Sequence, residues 1–270
     1  MKKQLIISNS GGLSSGFMTY MLLTHLDPQE WEIAVIFGNT GKEKEQTFRF
    51  LLDCDKYFNF NTIWVEAVIN PEMGKGTRHK VVDYSFASRN GEPFEQMIRK
   101  YGIPNICCKH CTRELKINPI RSYAKNVLGW KKFYTAIGIR ADEARRVDKH
   151  CLKKRFLYPL VNEYPADRIE VNKFWHRQAF TLQLKSYQGN CDLCFEKSDN
   201  KLITLCHESP QDALWWMDME DKYSYYIPPG KNPDTKLPVR FFRKNRSISD
   251  FIVLAKEHFV PACDESRIIA

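Results

Sequence analysis

The chain has 270 residues, of which 43% are hydrophobic and 27% charged, enough apolar material for the core of one large domain. No run of about 18 apolar residues occurs, and the apolar stretch near Met1 is too short for a signal peptide, so we expect a cytoplasmic protein with no membrane segment. The net charge of +9 favours anionic ligands and leaves nucleic acid open as a partner.

Apolar strands alternate with amphipathic helices along the first half of the chain, which predicts a parallel α/β sheet. Residues 70–92 have no clear period and are predicted to form a long loop. We expect a nucleotide-binding α/β domain over residues 1–165 and a helical segment with a tail over 166–270, which completes a cysteine site and packs on the first domain. The predicted strands are Gln4 to Ser8, "WEIAVIFGN", "TIWVEAVI" and "KKFYTAIGIR"; the predicted helices are Gly16 to Leu26, "EKEQTFRFLLDCDKYF", one beginning at Pro93, Thr112 to Val127 and Asp167 to Tyr187.

The first strand runs into "SGGLSS", residues 10–15, and then into a helix. Glycine amides, serine hydroxyls and a helix N-terminus together can bind phosphate. Neither the Walker spacing nor the dinucleotide spacing of glycines is present, so a tight turn with a serine cap stays an alternative at this stage.

Two later strand ends carry polar residues as well. "NTGKE" follows the second strand and places Glu43 at the start of the next helix, where an acidic residue also stabilises the helix dipole. "GIRADEARR" follows the fourth strand, and its Arg140, Glu143 and Arg146 recur every three residues. Two arginines held by one glutamate could bind a phosphate or a sulfate.

These motifs, in this order, resemble the phosphoadenosine phosphosulfate reductase family of the adenine-nucleotide α-hydrolase, or pyrophosphate-loop, superfamily. The matching pieces are "SGGLSS", "NTGKEKEQT", "CTRELKINPI" and "GIRADEARR", with "YPL" at residues 158–160, so the resemblance covers roughly residues 4–200. It implies a doubly wound five-stranded parallel sheet. It also implies an adenine nucleotide, with or without Mg²⁺, bound by Ser10, Gly11, Gly12, Ser14, Ser15, Phe37, Asn39, Thr40, Gly41, Glu43, Gly138, Arg140, Glu143 and Arg146, with Arg140 and Lys116 as catalytic candidates.

The chain departs from the family pattern at two places. Position 14 is Ser where pyrophosphatase members carry Asp, so cleavage of ATP is left open. The C-terminal cysteine segment of sulfonucleotide reductases is absent, and Cys263 in "VPACDESRIIA" is the catalytic candidate that remains for that reaction.

Five of the nine cysteines lie in two tight groups, "ICCKHC" and "GNCDLC". Because the cytosol keeps thiols reduced, Cys108-x-x-Cys111 with Cys191-x-x-Cys194 predicts a metal site, and thiolates suit both Zn²⁺ and an iron–sulfur cluster. The resemblance favours a 4Fe-4S cluster. Family members that carry one use an adjacent cysteine pair, so Cys107 competes with Cys108 and Cys111 as a ligand.

The sequence therefore supports three hypotheses. The first is an adenine-nucleotide-binding enzyme with an iron–sulfur cluster, acting in sulfur transfer or in nucleotide-dependent activation of a substrate, with a sulfur donor or thiol-reductant protein as partner. The second is a reductase of adenylyl sulfate or of phosphoadenylyl sulfate. The third is a non-catalytic protein that zinc stabilises and whose basic surface, including "RRVDKHCLKKR", binds nucleic acid or another partner. The sequence leaves open whether the protein forms a homo-oligomer.

Overall fold

A computed structural model of the protein describes residues 2–232, 234–257 and 259–265. Within these ranges the strands form one six-stranded sheet in the order β4-β3-β2-β1-β5-β6, parallel throughout except that β4 pairs antiparallel with β3. The α/β prediction is confirmed, but the sheet has six strands and not five. The strands are β1 (Lys3–Ser8), β2 (Trp31–Asn39), β3 (Ile63–Val68), β4 (Arg78–Val82), β5 (Tyr134–Ile137) and β6 (Phe156–Leu157).

Two strands, β4 and β6, are not among the four that the sequence analysis predicts. β4 lies inside residues 70–92, so the prediction of a loop over that whole range was wrong. Its apolar signal is weak because three of its five residues, Arg78, His79 and Lys80, are polar or charged. A cross-strand ion pair helps to fix its register: Lys80 lies opposite Glu66 of β3, and its Nζ is 2.8 Å from the Glu66 carboxylate.

Side chains alternate between the two faces of the sheet and build a core on each. Leu5 and Ile7 of β1 pack with Met18 and Leu22 on one face, whereas Ile6 packs with Ala124 on the other. The helices are α1 (Leu13–His25), α2 (Glu45–Phe58), α3 (Glu92–Tyr101), α4 (Asn118–Asn126), α5 (Cys151–Lys154), α6 (Arg168–His176), α7 (Asp199–Glu208), α8 (Ala213–Tyr223) and α9 (Ile248–Glu257).

Helix α6 ends at His176, so the predicted helix to Tyr187 was too long. Phe180 explains the early end, since its ring packs 5.0 Å from Tyr57 and 5.6 Å from Trp175. The chain turns back after α6 to make these aromatic contacts.

The segment before α4, Thr112–Ile117, is wound as a π-helix and not as the α-helix that the sequence predicts. It approaches β2 closely: a Cβ on Gly38 would lie 3.3 Å from Cα of Lys116. The wider turn changes the direction of side chains before α4, as π-turns at functional sites commonly do.

The C-terminal part packs on α3 and on the end of β3. Phe94 and Met97 of α3 share one buried cluster with Leu193, Trp216 of α8 and Phe251 of α9. In the described part of the chain, none of the helices combines the length and apolar character needed to cross a membrane.

Candidate functional site

A pocket of about 750 Å³ opens at the carboxyl ends of β1 and β5, where ligands bind in open α/β sheets. It brings together residues of the three strand-end motifs and of both cysteine segments, "ICCKHC" and "GNCDLC". The predicted site residues that line it are Ser10, Gly11, Gly12, Ser14, Ser15, Thr40, Cys111, Lys116, Gly138, Arg140, Glu143, Arg146, Cys191 and Cys194. Phe37, Asn39, Gly41, Glu43, Cys107, Cys108 and Cys263 are outside its lining.

Asn9, which the sequence analysis missed, shapes the loop after β1. Its Oδ1 accepts hydrogen bonds from the Gly11 amide and from the Ser15 hydroxyl, both at 3.0 Å. Gly11 has φ +70°, and a Cβ there would lie 2.4 Å from a methyl of Thr47, so only glycine fits this turn.

The Ser15 hydroxyl holds the loop at the start of α1. The Ser10 and Gly12 amides donate to Ser15 Oγ at 3.1 and 3.2 Å. The amides of the first turn of α1 have no acceptor inside the helix, and they carry its positive dipole end. These amides and the hydroxyls of Ser10 and Ser14 are the groups that an anion in the pocket could contact.

Most residues of the second motif hold the turn after β2 and do not face the pocket. Asn39 is buried, donates to Glu66 at 2.6 Å and accepts from the Gly41 amide at 3.0 Å. Phe37 is buried beside Trp64, 5.3 Å between ring centroids, and does not reach a ligand in the pocket. Thr40 and Thr47 are the residues of this motif that line the pocket, and the Thr40 hydroxyl donates to the Glu43 carboxylate at 2.9 Å.

The third motif forms the arginine pair that the spacing predicts. The Glu143 carboxylate lies 3.4 Å from Arg140 and 2.7 Å from Arg146, and all three line the pocket. Arg140 also donates to Asp142 at 2.8 and 2.9 Å, which lowers the pKa of that carboxyl, and to the Ser14 hydroxyl at 3.3 Å. The guanidinium of Arg140 therefore joins this motif to the loop after β1.

A third arginine, Arg168 at the start of α6, was not among the predicted site residues. It lines the same pocket, 2.8 Å from Glu265 and 3.9 Å from Asp142. The capping box of Asp167 and Glu170 fixes the start of α6, and it was the signal in the sequence that could have placed Arg168 at a helix N-terminus.

Three cysteines meet at the other side of the pocket. The Cys191 sulfur lies 3.3 Å from the Thr40 hydroxyl, while Cys111 and Cys194 line the same wall. Burial raises the pKa of Cys111 to about 11, and the nearby Cys194 thiol contributes. For Lys116, burial lowers the pKa, but the facing Cys191 and Glu43 outweigh it and the pKa rises.

The pocket lining includes three of the predicted metal ligands, Cys111, Cys191 and Cys194, and the cluster stays a prediction. Cys108 and Cys107 are outside the pocket lining, and no group of three or more His, Cys, Asp or Glu side chains in the described ranges is placed to hold a metal ion. A 4Fe-4S cluster needs four thiolates, and the pocket lining contains three cysteines.

A buried ion pair, also missed from the sequence, holds the cysteine segment against the turn after β2. Lys42 Nζ is 3.0 Å from the Asp192 carboxylate, and both side chains are about nine-tenths buried. Asp192 also accepts from the Trp216 indole at 2.8 Å, and its amide donates to the Lys42 carbonyl at 2.9 Å. The backbones of Glu43 and Cys191 also pair, in an isolated antiparallel β-bridge.

Cys263 is exposed and does not line the pocket. In the sequence, one residue separates it from Glu265, which does. The tail around it is tied down, because the Glu265 amide donates to the Ser186 hydroxyl at 2.9 Å and the Glu265 carboxylate pairs with Arg168. Glu265 itself lines the pocket.

The chain is similar to a protein of Escherichia phage lambda, the "Uncharacterized nin region protein ORF290". The two are 29% identical over 206 residues, which cover 75% of this chain and 69% of that protein. No protein-family model and no solved structure matches the chain. The similarity names no activity, so the function is argued from the pocket.

Proposed function

We propose that this protein is an adenine-nucleotide-binding enzyme of the phosphoadenosine phosphosulfate reductase type, with a doubly wound fold, that acts in sulfur transfer or in activation of a substrate by the nucleotide. One observation carries the proposal: the loop of residues 10–15, the Arg140–Glu143–Arg146 motif and three cysteines line a single pocket. Its volume of about 750 Å³ lies within the range of small-molecule sites.

The charge of the pocket supports an anionic ligand. Nine Lys or Arg side chains and three Glu side chains line it. Phosphates would contact the first turn of α1 and the Arg140 guanidinium, which Glu143 and Asp142 hold in place. Ser14 accepts a hydrogen bond from Arg140, at the position where an acidic residue would help to hold Mg²⁺. This loop therefore offers hydroxyl groups to the phosphates and has no carboxylate for Mg²⁺ at this position.

The cysteines would serve the sulfur-transfer step, after the nucleotide has bound. Cys191, Cys194 and Cys111 face Lys116. Its positive charge lowers the pKa of Cys111 and Cys191, but burial outweighs it and both pKa values are raised, so these two groups rest as thiols. In a sulfur transfer, one of these thiols would lose its proton and attack the outer sulfur of a persulfide on the donor protein. The new S–S bond forms while the S–S bond of the donor breaks, and the donor cysteine leaves as a thiolate. Iron–sulfur and zinc both stay predictions from the cysteine spacing, and neither enters a step of this proposal.

The experiment combines two measurements on anaerobically purified protein. Iron, zinc and acid-labile sulfide are quantified alongside the visible spectrum. ATP is then titrated calorimetrically, and AMP and pyrophosphate are assayed after incubation. The proposal predicts one ATP bound per chain; a chain that binds no adenine nucleotide contradicts it. Colourless protein with one zinc per chain would overturn the cluster prediction alone.

Reduction of adenylyl sulfate or phosphoadenylyl sulfate is the second candidate, because Cys263 lies two positions before Glu265, a residue of the pocket lining. In that reaction the Cys263 thiolate bonds to the sulfate sulfur, the nucleotide phosphate leaves, and a thiol reductant later cleaves the thiosulfonate. Cys263→Ser would abolish sulfite formation under this candidate while ATP binding stays unchanged. Cys151→Ser is the matched control, since Cys151 does not line the pocket and belongs to neither group of candidate ligands.

A further inference from the structure

One charged segment is left unexplained by the proposed function. Residues 145–155, "RRVDKHCLKKR", contain six Lys or Arg residues and a single acidic residue, Asp148. All six basic residues are exposed. We call this stretch the basic segment.

Few of these charges are neutralised. Among the described side chains, Arg146 pairs with Glu143 at 2.7 Å and Lys154 with Asp148 at 2.5 Å. The other four, Arg145, Lys149, Lys153 and Arg155, have no carboxylate within 4.0 Å in the described ranges. Unpaired cations this close together repel each other, so they favour a polyanion.

The basic segment runs from the pocket along the outer edge of the sheet. It begins at the pocket, where Arg146 is part of the wall. It ends beside β5, where the Arg155 carbonyl accepts from the Thr135 amide at 2.9 Å and its guanidinium lies 5.4 Å from the Tyr134 ring. The strand that follows, β6, is the last in the sheet order among the described residues.

We propose that the basic segment binds the sugar–phosphate backbone of a nucleic acid, with phosphates on Arg145, Lys149, Lys153 and Arg155. The positive charge continues into the pocket, so the bound strand leads toward the residues that line it. A single phosphate would need one or two of these cations; a row of four outside the pocket matches a repeating anion. The inference does not depend on the proposed function, because it needs no mononucleotide in the pocket.

The test is a fluorescence-anisotropy titration without ATP, using labelled 20-nucleotide single-stranded DNA, the same sequence as RNA, and as duplex DNA, at several salt concentrations. The variant is the triple Arg145→Ala, Lys149→Ala, Lys153→Ala. Its control is Lys75→Ala, Arg78→Ala, Lys125→Ala, which also removes one Arg and two Lys from exposed positions. Arg78 lies on β4, at the opposite edge of the sheet from β6, Lys75 lies just before β4, and Lys125 lies on α4.

We expect the native protein to bind at least one of the three nucleic acids. The basic-segment variant should bind about tenfold or more weakly, and its slope of log affinity against log salt should fall by about two to three, since each phosphate contact contributes about 0.7 to 0.9. The control variant should keep the affinity and the salt slope of the native protein. A thermal melt checks that both variants are folded, and ATP calorimetry on the basic-segment variant tests the proposed function separately.

Three results would overturn the inference: no binding of any oligonucleotide by the native protein, an equal loss in the control variant, or binding only to phosphatidylserine vesicles that the basic-segment variant loses. The last would assign the segment to an anionic lipid surface. The oligonucleotide that the native protein binds most tightly identifies whether the segment prefers single-stranded DNA, RNA or duplex DNA.

Discussion

The backbone of Gly138, at the end of β5, lies directly against the backbone of Ser15 in the loop after β1. A Cβ on Gly138 would be 3.0 Å from Cα and 3.1 Å from N of Ser15. This contact joins the arginine motif to the loop that would hold phosphates, and it leaves no room for a side chain.

Gly138→Ala should therefore separate the two motifs. We expect a lower melting temperature, equivalent to about 1–3 kcal/mol from overpacking, and weaker ATP binding. Gly76→Ala is the control, because a Cβ there meets nothing within 4 Å. Calorimetry and a thermal melt of the two variants check the prediction, and equal ATP affinity of Gly138→Ala and native protein would contradict it.

The Lys42–Asp192 pair should be important for stability, because it is buried. Lys42→Ala leaves the Asp192 carboxylate buried without its cation, and we expect a loss of about 3 kcal/mol in the free energy of unfolding in urea. The control Lys222→Ala removes a lysine from an exposed pair with Asp218 and should change the midpoint little. Similar midpoints for both variants would show that Lys42 does not hold the cysteine segment.

The stability of the protein should depend on pH through the protonation of Glu220. Its carboxylate is buried and accepts from the Ile248 amide at 2.9 Å; burial raises its pKa above the ordinary value of 4.5. The fold therefore favours the neutral acid, whose stabilising contribution is complete below pH 4.5 and is lost as pH rises through the folded-state pKa.

Glu220→Gln removes this titration. We expect the melting temperature of the variant, relative to native protein, to increase steadily as the pH rises from 4.5 to 7. Glu257→Gln, at an exposed position, should give no such trend. A difference between Glu220→Gln and native protein that is constant over this pH range would disagree with the assignment.

The sequence predicted the elements whose patterns are local and strong. The apolar run of β1 and the amphipathic α2 were found close to their observed bounds, since both are specified by residues within the element. β4 was missed because its stability comes from Glu66 and the neighbouring β3, which are distant in sequence. The π-helix before α4 packs close to Gly38 of β2, a contact between segments that are distant in sequence.

The same distinction applies to the site. The Arg140–Glu143–Arg146 motif was found from spacing over seven residues. Asn9 and Arg168 were missed because their roles depend on contacts with other segments. Phe37 was assigned to the ligand because it ends a strand beside the site, but its ring packs against Trp64 and stays in the core.

The central claim is that the loop after β1 binds the phosphates of an adenine nucleotide, and Gly12 allows it to be tested without disturbing the fold. Gly12 has φ −103° and ψ 161°, which alanine adopts, and a Cβ there would meet only Ser10 Oγ at 3.7 Å. The added methyl group would project from a residue that lines the pocket at the N-terminus of α1, where the phosphates would lie.

The decisive measurement is calorimetric titration of ATP into native protein and into Gly12→Ala, with a thermal melt of each. We predict that the native chain binds ATP and that Gly12→Ala melts at the same temperature but binds at least about tenfold more weakly, which corresponds to about 1.4 kcal/mol. Equal affinity in the two proteins, or no binding by the native chain, would contradict the claim.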